Sequence, residues 1–476
     1  MRHNKEYKNY CKIVATLGNT DGREHIIEDL ILAGASVFRM NLSHDTVEGH
    51  SKKVQIIRAL EEKYNRYFGI IFDLQGPKLR VGAFKDGSVM LKEGQTFQLD
   101  LDATPGDETR VNLPHPEIYK AVAAGHNLLF NDGLIRVRVD SVFSDKMLTT
   151  VLNGGALSNH KGVNVPDVSL PISALTERDM ENIKQADKLD IDWFALSFVQ
   201  KPEDLLLAKS LIKSKAGIIA KIEKPQAIEH LDKIIELADA VMVARGDLGV
   251  ELSPERVPVL QRKIIGACRR RGRPVIVATQ MLESMINNMN PTRAEASDVA
   301  TAVYEGADAV MLSGETAVGR YPAEAVATMS RIITNVEYDE GCERYMRSSH
   351  YEPGETNVSD AITAAARLAS SLVNTANIII TFTDSGGTTY RTARQRPCVP
   401  IFSLTSFKTT ARKMSVVWGA QAYLIKELTQ FEDIEKEVRA LLVELDRAHK
   451  GTQVVVVAGV PFRQTGDTNL MYVITL

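Results

Sequence analysis

The sequence is poor in cysteine, lacks common zinc motifs and has no long apolar run. The chain has 476 residues and four cysteines, at Cys11, Cys268, Cys342 and Cys398. They lie far apart and form no CxxC pair, which excludes a zinc ribbon or a CxxC redox motif and suits a reducing cytosol. HExxH is also missing, and the longest apolar run, at 454–460, has the length of a strand. A membrane-spanning helix needs roughly 18–20 apolar residues, and no stretch approaches that length.

The chain also has no excess of one charge. It carries 57 Lys and Arg against 60 Asp and Glu, a net charge of −3, which argues against a nucleic-acid partner bound through bulk charge. The polar first twelve residues lack the apolar core of a signal peptide. We therefore expect a cytoplasmic protein without a membrane partner. At roughly 100–200 residues per domain, the length predicts two to four domains.

Short apolar runs alternate with amphipathic stretches through most of the sequence. The runs predict strands at 12–18, 36–43, 68–76, 192–199, 217–223, 240–247, 274–281 and 309–315. Helical spacing of apolar residues between them predicts helices at 25–33, 176–189, 202–215, 227–237, 254–270 and 323–336. An open doubly wound sheet would also alternate in this way, but eight units in one run favour a (β/α)8 TIM barrel.

Two further regions depart from this pattern. Between 77 and 171, turn signals and short strands, such as the period-two stretch at 134–142, predict an inserted small β-barrel lid domain. Such an insertion in a loop at the mouth of a barrel is placed to cover an active site. After a polar linker at 347–355, strands at 377–383, 400–405, 420–424, 453–458 and 470–475 alternate with helices. They predict a C-terminal α/β domain with a mostly parallel sheet.

These patterns divide the chain into three predicted domains. Residues 1–76 and 172–345 form the catalytic barrel domain, residues 77–171 the lid domain, and residues 346–476 the C-terminal α/β domain.

Four of the predicted barrel strands end in polar residues, directly after an apolar run. They are Lys221 and Glu223, Arg245 and Asp247, Thr279 and Gln280, and Ser313 and Glu315. Any one of them could be a solvated loop residue. Because the carboxyl ends of barrel strands open into one mouth, we nevertheless expect the set to converge there.

Glu223 and Asp247 are carboxylates on adjacent strands, and hard oxygen ligands of this kind suit Mg²⁺. The alternative is a pair of salt bridges to Lys221 and Arg245, and the sequence leaves both open. A lysine beside a divalent ion would be a clamp for a transferring phosphoryl group. The glycines flanking Asp247 let backbone N–H groups approach an anion closely.

A second polar set lies at the ends of strands two and three and just beyond them, at Arg39, Asn41, Ser43, His44, Asp73 and Arg80. An arginine such as Arg39 can fork onto phosphate oxygens. The oxygens of Asn41, Ser43 and Asp73 suit a monovalent cation or an ammonium group, whereas a lone histidine is more often a packed or surface residue. GxxxxGK[ST] is absent, so any nucleotide is bound by something other than a P-loop.

Taken together, the motifs resemble those of the pyruvate kinase family. The matching segments are FRMNLSH at 38–44, DLQGPKLR at 73–80, NDG at 131–133, AKIE at 220–223, MVARGDLG at 242–249, ATQMLESM at 278–285, PTRAEASD at 291–298 and MLSGETA at 311–317. They run along the first two predicted domains, and the third domain matches in layout. The family's order, a barrel interrupted by a β lid and followed by an α/β domain, agrees with the order predicted above.

The resemblance implies phosphoryl transfer from phosphoenolpyruvate to ADP, which gives ATP and pyruvate as the final step of glycolysis. By position it implies Mg²⁺ (or Mn²⁺) on Glu223 and Asp247, and Lys221 at the transferring phosphoryl and the enolate. The backbone amides of Gly246 and Asp247, together with Thr279, would hold the substrate carboxylate.

The remaining implied roles concern the nucleotide, the proton and the assembly. The phosphoryl and nucleotide side would use Arg39, Asn41, His44, Arg80 and Lys201. A proton-donating network would use Thr279, Ser313 and Glu315. The resemblance also implies a homotetramer.

The sequence departs from the commonest family pattern at the monovalent-cation site. Many relatives bind K⁺ through oxygens at positions that match Asn41, Ser43, Asp73 and the Leu74 carbonyl, with a Glu where this chain has Lys78. The segment around Lys78 resembles the subset of the family that works without K⁺. We interpret Lys78 as replacing the cation; the alternative is a solvated loop lysine.

A possible effector site lies in the C-terminal domain. A predicted strand is joined to a predicted helix by the segment Thr383, Asp384, Ser385, Gly386, Gly387 and Thr388. Its hydroxyl groups, together with the backbone amides at the start of the helix, can form a binding site for an anion. The alternative is a capped turn. The resemblance favours a regulatory domain that binds a phosphorylated activator here, a sugar phosphate or a nucleotide, with help from Arg463.

Two rival functions remain open at this point. One is another barrel enzyme that acts on phosphoenolpyruvate or a pyruvate enolate, such as an aldolase or a mutase. The other is a non-catalytic metabolite sensor, although such a protein would be expected to have lost Lys221, Glu223 or Thr279, and all three are present.

Overall fold

The computed structural model describes residues 9–19, 24–43, 45–166, 168–342, 357–373, 375–428, 430–462 and 468–476. The predicted linker at 347–355 lies outside these residues, as do His44 and Arg463.

The strands within the described ranges follow one another along the chain. They are β1 (Lys12–Leu17), β2 (Val37–Asn41), β3 (Gly69–Asp73), β4 (Ser88–Leu91), β5 (Thr96–Asp100), β6 (Arg110–Asn112), β7 (Asn127–Phe130), β8 (Ile135–Val142), β9 (Lys146–Asn153), β10 (Gly155–Ser158), β11 (Val163–Asn164), β12 (Trp193–Leu196), β13 (Gly217–Ile222), β14 (Ala240–Ala244), β15 (Val275–Ala278), β16 (Ala309–Leu312), β17 (Ala376–Phe382), β18 (Ile401–Thr405), β19 (Ala420–Leu424), β20 (Gln453–Ala458) and β21 (Leu470–Thr475).

Helices separate most of these strands. In the same ranges they are α1 (His25–Ala33), α2 (Val47–Tyr64), α3 (Pro116–Ala121), α4 (Glu177–Ala186), α5 (Pro202–Leu211), α6 (Pro225–Glu229), α7 (Leu231–Leu237), α8 (Arg245–Leu252), α9 (Val257–Arg271), α10 (Arg293–Tyr304), α11 (Gly314–Ala317), α12 (Pro322–Glu337), α13 (Val358–Leu372), α14 (Gly387–Arg394), α15 (Lys408–Lys413) and α16 (Glu432–Glu444). None of them is both long and apolar enough to cross a membrane.

Eight parallel strands close into a barrel in the order β1-β16-β15-β14-β13-β12-β3-β2. Both faces of these strands are buried, which explains their continuous apolar runs. The predicted (β/α)8 barrel is therefore confirmed, with all eight strands inside the predicted runs. The strands end earlier than the runs, because the polar residues that follow them leave the sheet. After β14, for example, residues predicted as strand open helix α8.

The inserted region lies between β3 and α4 and has its own apolar core. It contains a six-stranded sheet, β11-β7-β8-β9-β5-β6, and a two-stranded sheet of β10 and β4. Strand β8 alternates buried and exposed residues, as its period-two sequence predicts. Asp179, at the start of α4, accepts hydrogen bonds from the amides of Gln75 (3.0 Å) and Gly76 (3.1 Å), where the chain leaves the barrel. This carboxylate ties the departing and returning segments together.

The C-terminal region forms a five-stranded sheet in the order β19-β18-β17-β20-β21. Its pairs are parallel except that of β20 with β21, so the sheet is mostly parallel, as predicted. It packs under the amino-terminal ends of the barrel strands, where Trp193 and Met414 share one buried cluster. A buried ion pair joins the two units, with Arg412 Nη2 on α15 2.8 Å from Glu61 Oε2 on α2.

Candidate active site

The Lys221 ammonium lies at the mouth of the barrel among three oxygens. Its Nζ is 2.7 Å from Ser197 Oγ, 2.9 Å from Glu223 Oε1 and 3.3 Å from Asp73 Oδ1. The residue is 8% exposed. Burial alone would lower the pKa of Lys221, but the Asp73 and Glu223 carboxylates raise it well above its usual value. Lys221 is therefore a fixed positive charge that faces the mouth.

Asp73, at the end of β3, is held by two cations. Its Oδ2 lies 2.6 Å from Arg39 Nε and its Oδ1 faces Lys221, while Arg39 Nη1 donates to Thr16 Oγ1 at 3.1 Å. Burial alone would raise the pKa of Asp73, but the charges of Lys221 and Arg39 hold it below its usual range. Arg39 and Lys221 thus place two cationic groups side by side at this point, balanced by the Asp73 and Glu223 carboxylates, and such fixed cations suit a phosphoryl group.

Glu223 is fully buried beside Lys221. Its Oε2 accepts a hydrogen bond from the Phe198 amide at 2.7 Å, whereas Oε1 has no aligned hydrogen-bond donor among the described residues. Burial raises the pKa of Glu223 to about 6, with the Lys221 ammonium opposing the rise and the nearby Asp247 carboxylate adding to it.

These properties fit a divalent cation. Glu223 and Asp247 repel each other, and the Lys221 ammonium is the one cation beside the buried Glu223 Oε1 in the described residues, so the two carboxylates together have more negative charge than this cation offsets. No group of three or more His, Cys, Asp or Glu side chains suited to a metal occurs in the part of the chain that the structure describes. Two carboxylates are nevertheless enough for Mg²⁺, which usually keeps several waters and takes one or two protein carboxylates.

The salt-bridge alternative holds for only one of the two carboxylates. Lys221 pairs with Glu223, but Arg245 turns away to Asp298, with Nη1 2.6 Å from Oδ1, and donates through Nη2 to the Thr279 carbonyl at 2.8 Å. Arg245 therefore holds the loop after β15 in place, and the half-buried Asp247 at the start of α8 keeps its carboxylate for another partner.

Thr279 and Gly246 meet at the same mouth. The Gly246 amide donates to Thr279 Oγ1 at 2.7 Å. Thr279 and Gln280 have positive φ angles of 68° and 53°, a backbone conformation that is strained for a β-branched residue. This turn aims the Thr279 hydroxyl at the first turn of α8.

Ser313 and Glu315 have different surroundings. Glu315 accepts hydrogen bonds from the backbone amides of Leu282 (3.0 Å) and Ser313 (2.7 Å), so it clamps the loops after β15 and β16. The buried Ser313 hydroxyl has no hydrogen-bond partner among the described residues. Of these two predicted relay members, Ser313 is the one whose polar group is available.

The predicted cation and nucleotide residues are dispersed around the mouth. Asn41 Oδ1 accepts from the Ser43 amide at 3.0 Å, and the Leu74 carbonyl accepts from Ser197 Oγ at 2.7 Å. Lys78 is exposed.

Two of the predicted nucleotide residues lie further along the chain. Arg80 Nη1 donates to the His160 carbonyl in the lid region at 2.8 Å, and Lys201 is exposed at the start of α5. His44 lies outside the described residues.

Ser197 was not predicted from the sequence, although it bridges Lys221 and the Leu74 carbonyl. It directly follows β12, the same position after a strand that singled out the other site residues. That signal could have identified it.

The predicted effector segment borders a cavity of about 490 Å³ in the C-terminal region. Thr383, Asp384, Ser385, Gly387 and Thr388 line it, together with Arg391 and Lys426, whereas Gly386 does not. Gly386 has a φ of 97° and its amide donates to Thr383 Oγ1 at 2.9 Å, so the turn is also capped. The cavity adds to the capped turn a space lined by two cationic side chains, Arg391 and Lys426, and by two acidic ones, Asp384 and Glu427. Arg463 lies outside the described residues.

Comparisons with known proteins agree with this architecture. The family model "Pyruvate kinase, barrel domain" matches residues 8–326, and "Pyruvate kinase, alpha/beta domain" matches residues 360–474. A pyruvate kinase of Methylorubrum extorquens is 46% identical over 97% of this chain and 96% of its own length. One of Agrobacterium vitis is 43% identical, over 98% and 96%. The crystal structure of a pyruvate kinase from Cryptosporidium parvum superposes with a TM-score of 0.90 at 32% identity, over 98% and 96% of the two chains.

Proposed function

Because the chain belongs to the pyruvate kinase family, whose members are phosphotransferases, we propose that its barrel mouth carries phosphoryl transfer from phosphoenolpyruvate to ADP. The observation that carries this assignment is the Lys221 ammonium, buried between Asp73 and Glu223 and 2.9 Å from the Glu223 carboxylate. A fixed positive charge at that point stabilises negative charge that develops during transfer, without reorganisation. The end products are ATP and pyruvate.

In the transfer step, an oxygen of the ADP β-phosphate bonds to phosphorus, and the bond between phosphorus and the enol oxygen breaks. Lys221 and Arg39 face the region where negative charge then gathers, on the phosphoryl oxygens and the enolate. The Gly246 amide donates to Thr279 Oγ1 at 2.7 Å and the Thr279 hydroxyl donates to the Ala278 carbonyl at 2.6 Å. Both donors would exchange these acceptors for the substrate carboxylate.

Protonation of the enolate at its methylene carbon completes the reaction. We assign this proton to the network of Thr279, Ser313 and Glu315. Glu315 holds its loop through two backbone amides, and the Ser313 hydroxyl is the unpaired polar group of the three among the described residues.

The nucleotide side is assigned to Asn41, His44, Arg80 and Lys201, by family position. The exposure of Lys201 is consistent with a residue that meets a ligand entering from solvent.

Glu223 and Asp247 would hold Mg²⁺ or Mn²⁺. A divalent ion there supplies positive charge to the substrate and the enolate. Calorimetric titration of the apo-protein with Mn²⁺ tests this site without turnover. Glu223→Gln and Asp247→Asn should each weaken binding at least tenfold, and unchanged binding in both would exclude the assignment.

The function is tested by measuring pyruvate formation with ADP and Mg²⁺ by purified protein. Wild type should form pyruvate only with ADP, and Lys221→Met should lower kcat by about 10²–10³-fold, the usual loss of one preorganised charge-stabilising donor. Pyruvate release without ADP would favour a different barrel enzyme. A wild-type rate equal to that of Lys221→Met would favour a non-catalytic sensor.

We also propose that the enzyme works without K⁺. The oxygens of the predicted cation site already have donors within the protein, since Asp73 faces Arg39 and Lys221 and Asn41 accepts from the Ser43 amide. This supports a site in which protein cations replace K⁺, and family position assigns part of that role to Lys78. Added K⁺ should not stimulate wild type in tetramethylammonium buffer, and Lys78→Glu should become K⁺-dependent. Strong stimulation of wild type would contradict the proposal.

A phosphorylated metabolite is proposed to activate the enzyme from the C-terminal cavity. The hydroxyls of Ser385 and Thr388 and the Arg391 guanidinium at its wall suit a phosphate. Titration with fructose 1,6-bisphosphate, ribose 5-phosphate, glucose 6-phosphate and AMP should show one that lowers the phosphoenolpyruvate concentration at half-maximal rate. No response to any of the four, with Ser385→Ala and Thr388→Ala unchanged from wild type, would leave the capped turn as the explanation.

Three further points stay predictions: the homotetramer, the cytoplasmic location and the domain division. That division is a barrel at 1–76 and 172–345, a lid at 77–171 and a regulatory domain at 346–476. Sedimentation of the purified protein tests the tetramer.

A further inference from the structure

A buried carboxylate outside the predicted site, Glu251, joins the lid to the barrel. Its Oε1 lies 2.6 Å from Lys224 Nζ and accepts a hydrogen bond from Asn164 Nδ2 at 2.7 Å. Glu251 is 3% exposed. A buried carboxylate needs its donors, because leaving one unpaired is costly.

Each of the three partners belongs to an element that matters to the site. Lys224 is the residue after Glu223, in the short link from β13 to α6. Glu251 lies in α8, the helix whose first turn contains Gly246 and Asp247. Asn164 lies in β11 of the inserted region. One oxygen atom therefore links the lid to the two segments that carry Glu223 and Asp247.

The contact continues to Glu223 through an aromatic residue. The Lys224 ammonium lies 5.7 Å from the centre of the Phe198 ring, and the Phe198 amide donates to Glu223 Oε2 at 2.7 Å. Phe198 has a positive φ of 55°, so its backbone is held in a strained conformation by these surroundings. Displacement of Lys224 would remove one of the contacts that fix this residue.

The lid contacts α8 through the Asn164–Glu251 hydrogen bond, and a cavity of about 700 Å³ lies beside this contact, lined by both the lid and α8. A smaller cavity of about 30 Å³ is lined by Asp132 and Asn164 of the lid and by Lys224 and Asp247 of the barrel. A Cβ added to Gly133 would be 3.5 Å from Val250 Cγ1, so the lid loop already contacts the helix. Asn164 is therefore presented to Glu251 only while the lid is in this position.

We propose that Glu251 is a positioning residue that couples lid closure to the alignment of Glu223 and Asp247. With the lid in place, Asn164 and Lys224 both satisfy the Glu251 carboxylate, and β13 and α8 are held together next to the reacting groups. With the lid lifted, the carboxylate loses one donor, and the two elements are held less firmly. This inference rests on the proposed function, because it assigns the pair a role in that reaction.

The central test is Asn164→Ala, which removes the lid contact and leaves the barrel intact. Asn153→Ala is the matched control, since Asn153 Nδ2 donates to the Leu134 carbonyl at 2.7 Å within the lid region. A lost hydrogen bond to a charged group corresponds to a reduction on the order of 10- to 100-fold. We expect that loss in kcat for Asn164→Ala with little change in KM, and less than a twofold change for the control. Asn164→Asp should be worse than Asn164→Ala, because it places a second carboxylate against Glu251.

A purely structural role of Asn164 predicts a different effect on the amount of folded enzyme and on kcat. It would lower the amount of folded enzyme but leave kcat per folded molecule, measured by active-site titration, at the wild-type value. The inference would also be overturned if the effects of Asn164→Ala and Lys224→Ala on kcat multiplied independently, because both act through the same oxygen atom.

Hydrogen–deuterium exchange of the apo-protein separates this inference from the proposed function. Asn164→Ala should speed exchange in peptides covering β11 and α8, but not in those covering β8 and β9. Faster exchange in a protein without ADP-dependent turnover would refute the proposed function and leave the lid contact standing. Unchanged exchange, or a kcat equal to that of the control, would refute the inference alone.

Discussion

Removing the Arg412 guanidinium should destabilise the attachment of the C-terminal region to the barrel. Arg412 and Glu61 have side chains only 3% and 2% exposed, and Arg412 Nη2 lies 2.8 Å from Glu61 Oε2. Glu61 also faces Arg58 Nη1 at 2.8 Å and accepts from the Phe68 amide at 3.0 Å. Arg412 has a second partner in the exposed Asp190, at 2.6 Å.

The size of the effect follows from what each variant leaves behind. Removing one partner of a buried ion pair costs about 3–5 kcal/mol, because the other charge stays buried. Arg412→Met leaves Glu61 with Arg58 and one amide, so we expect the lower end, about 3 kcal/mol. Glu61→Gln leaves Arg412 with an exposed partner that is screened by solvent, so we expect about 4 kcal/mol. The double variant leaves no stranded charge, and should cost about 2 kcal/mol less than the sum of the single variants.

Urea unfolding of the four proteins, followed by far-ultraviolet circular dichroism, measures these free energies. Tyr67→Phe, in the link between α2 and β3, is a control that keeps both charges. If either single variant loses less than about 1 kcal/mol, the pair behaves as a surface ion pair. If the single effects simply add, the two residues are not coupled, and the reasoning from burial is wrong.

Three further outcomes can be checked. Burial and the neighbouring Lys53 lower the pKa of His50 in the folded protein to about 4. Because His50 in the unfolded chain binds a proton near pH 6.5, the folded state loses stability as the pH falls below that value. Urea titrations should therefore show that wild type loses ~2 kcal/mol more than His50→Leu between pH 7 and pH 5. Gly217→Ala should cost about 1–3 kcal/mol in thermal unfolding, because its Cβ would be 2.6 Å from Trp193 Cζ3; equal melting temperatures would contradict that packing. Ser313→Ala should slow proton exchange at the pyruvate methyl group about 10²-fold while leaving stability unchanged, and an unchanged exchange rate would remove Ser313 from the proton network.

The barrel could be predicted from the sequence because its strands are buried on both faces. Because both faces are buried, each strand has a continuous run of apolar residues, and all eight predicted runs contain a strand. The ends of the runs were less informative. The stretch at 240–247 was predicted as strand, but the strand ends at Ala244 and α8 begins at Arg245. An eight-residue helix with two glycines has little helical signal, and its contacts with the loop after β15 stabilise it instead.

The site could be predicted as a set of residues but not as a set of partners. Position at the end of an apolar run located Lys221 and Glu223, and the structure places Lys221 Nζ 2.9 Å from Glu223 Oε1. The same position gave no sign that Arg245 pairs with Asp298, 53 residues later. Glu251 was missed altogether, because its partners lie in two other elements and only the closed barrel brings the three together.

Both tryptophans of the chain lie where the barrel meets the C-terminal region. The Trp193 ring is 5.5 Å from Lys413 Nζ, and Trp418 stacks on Tyr10 with 4.7 Å between ring centres. Tryptophan fluorescence of this protein therefore comes from this junction, and none of it comes from the lid. The protein carries a built-in optical probe for events that pass between the C-terminal cavity and the barrel, and a labelled cysteine would be needed to watch the lid.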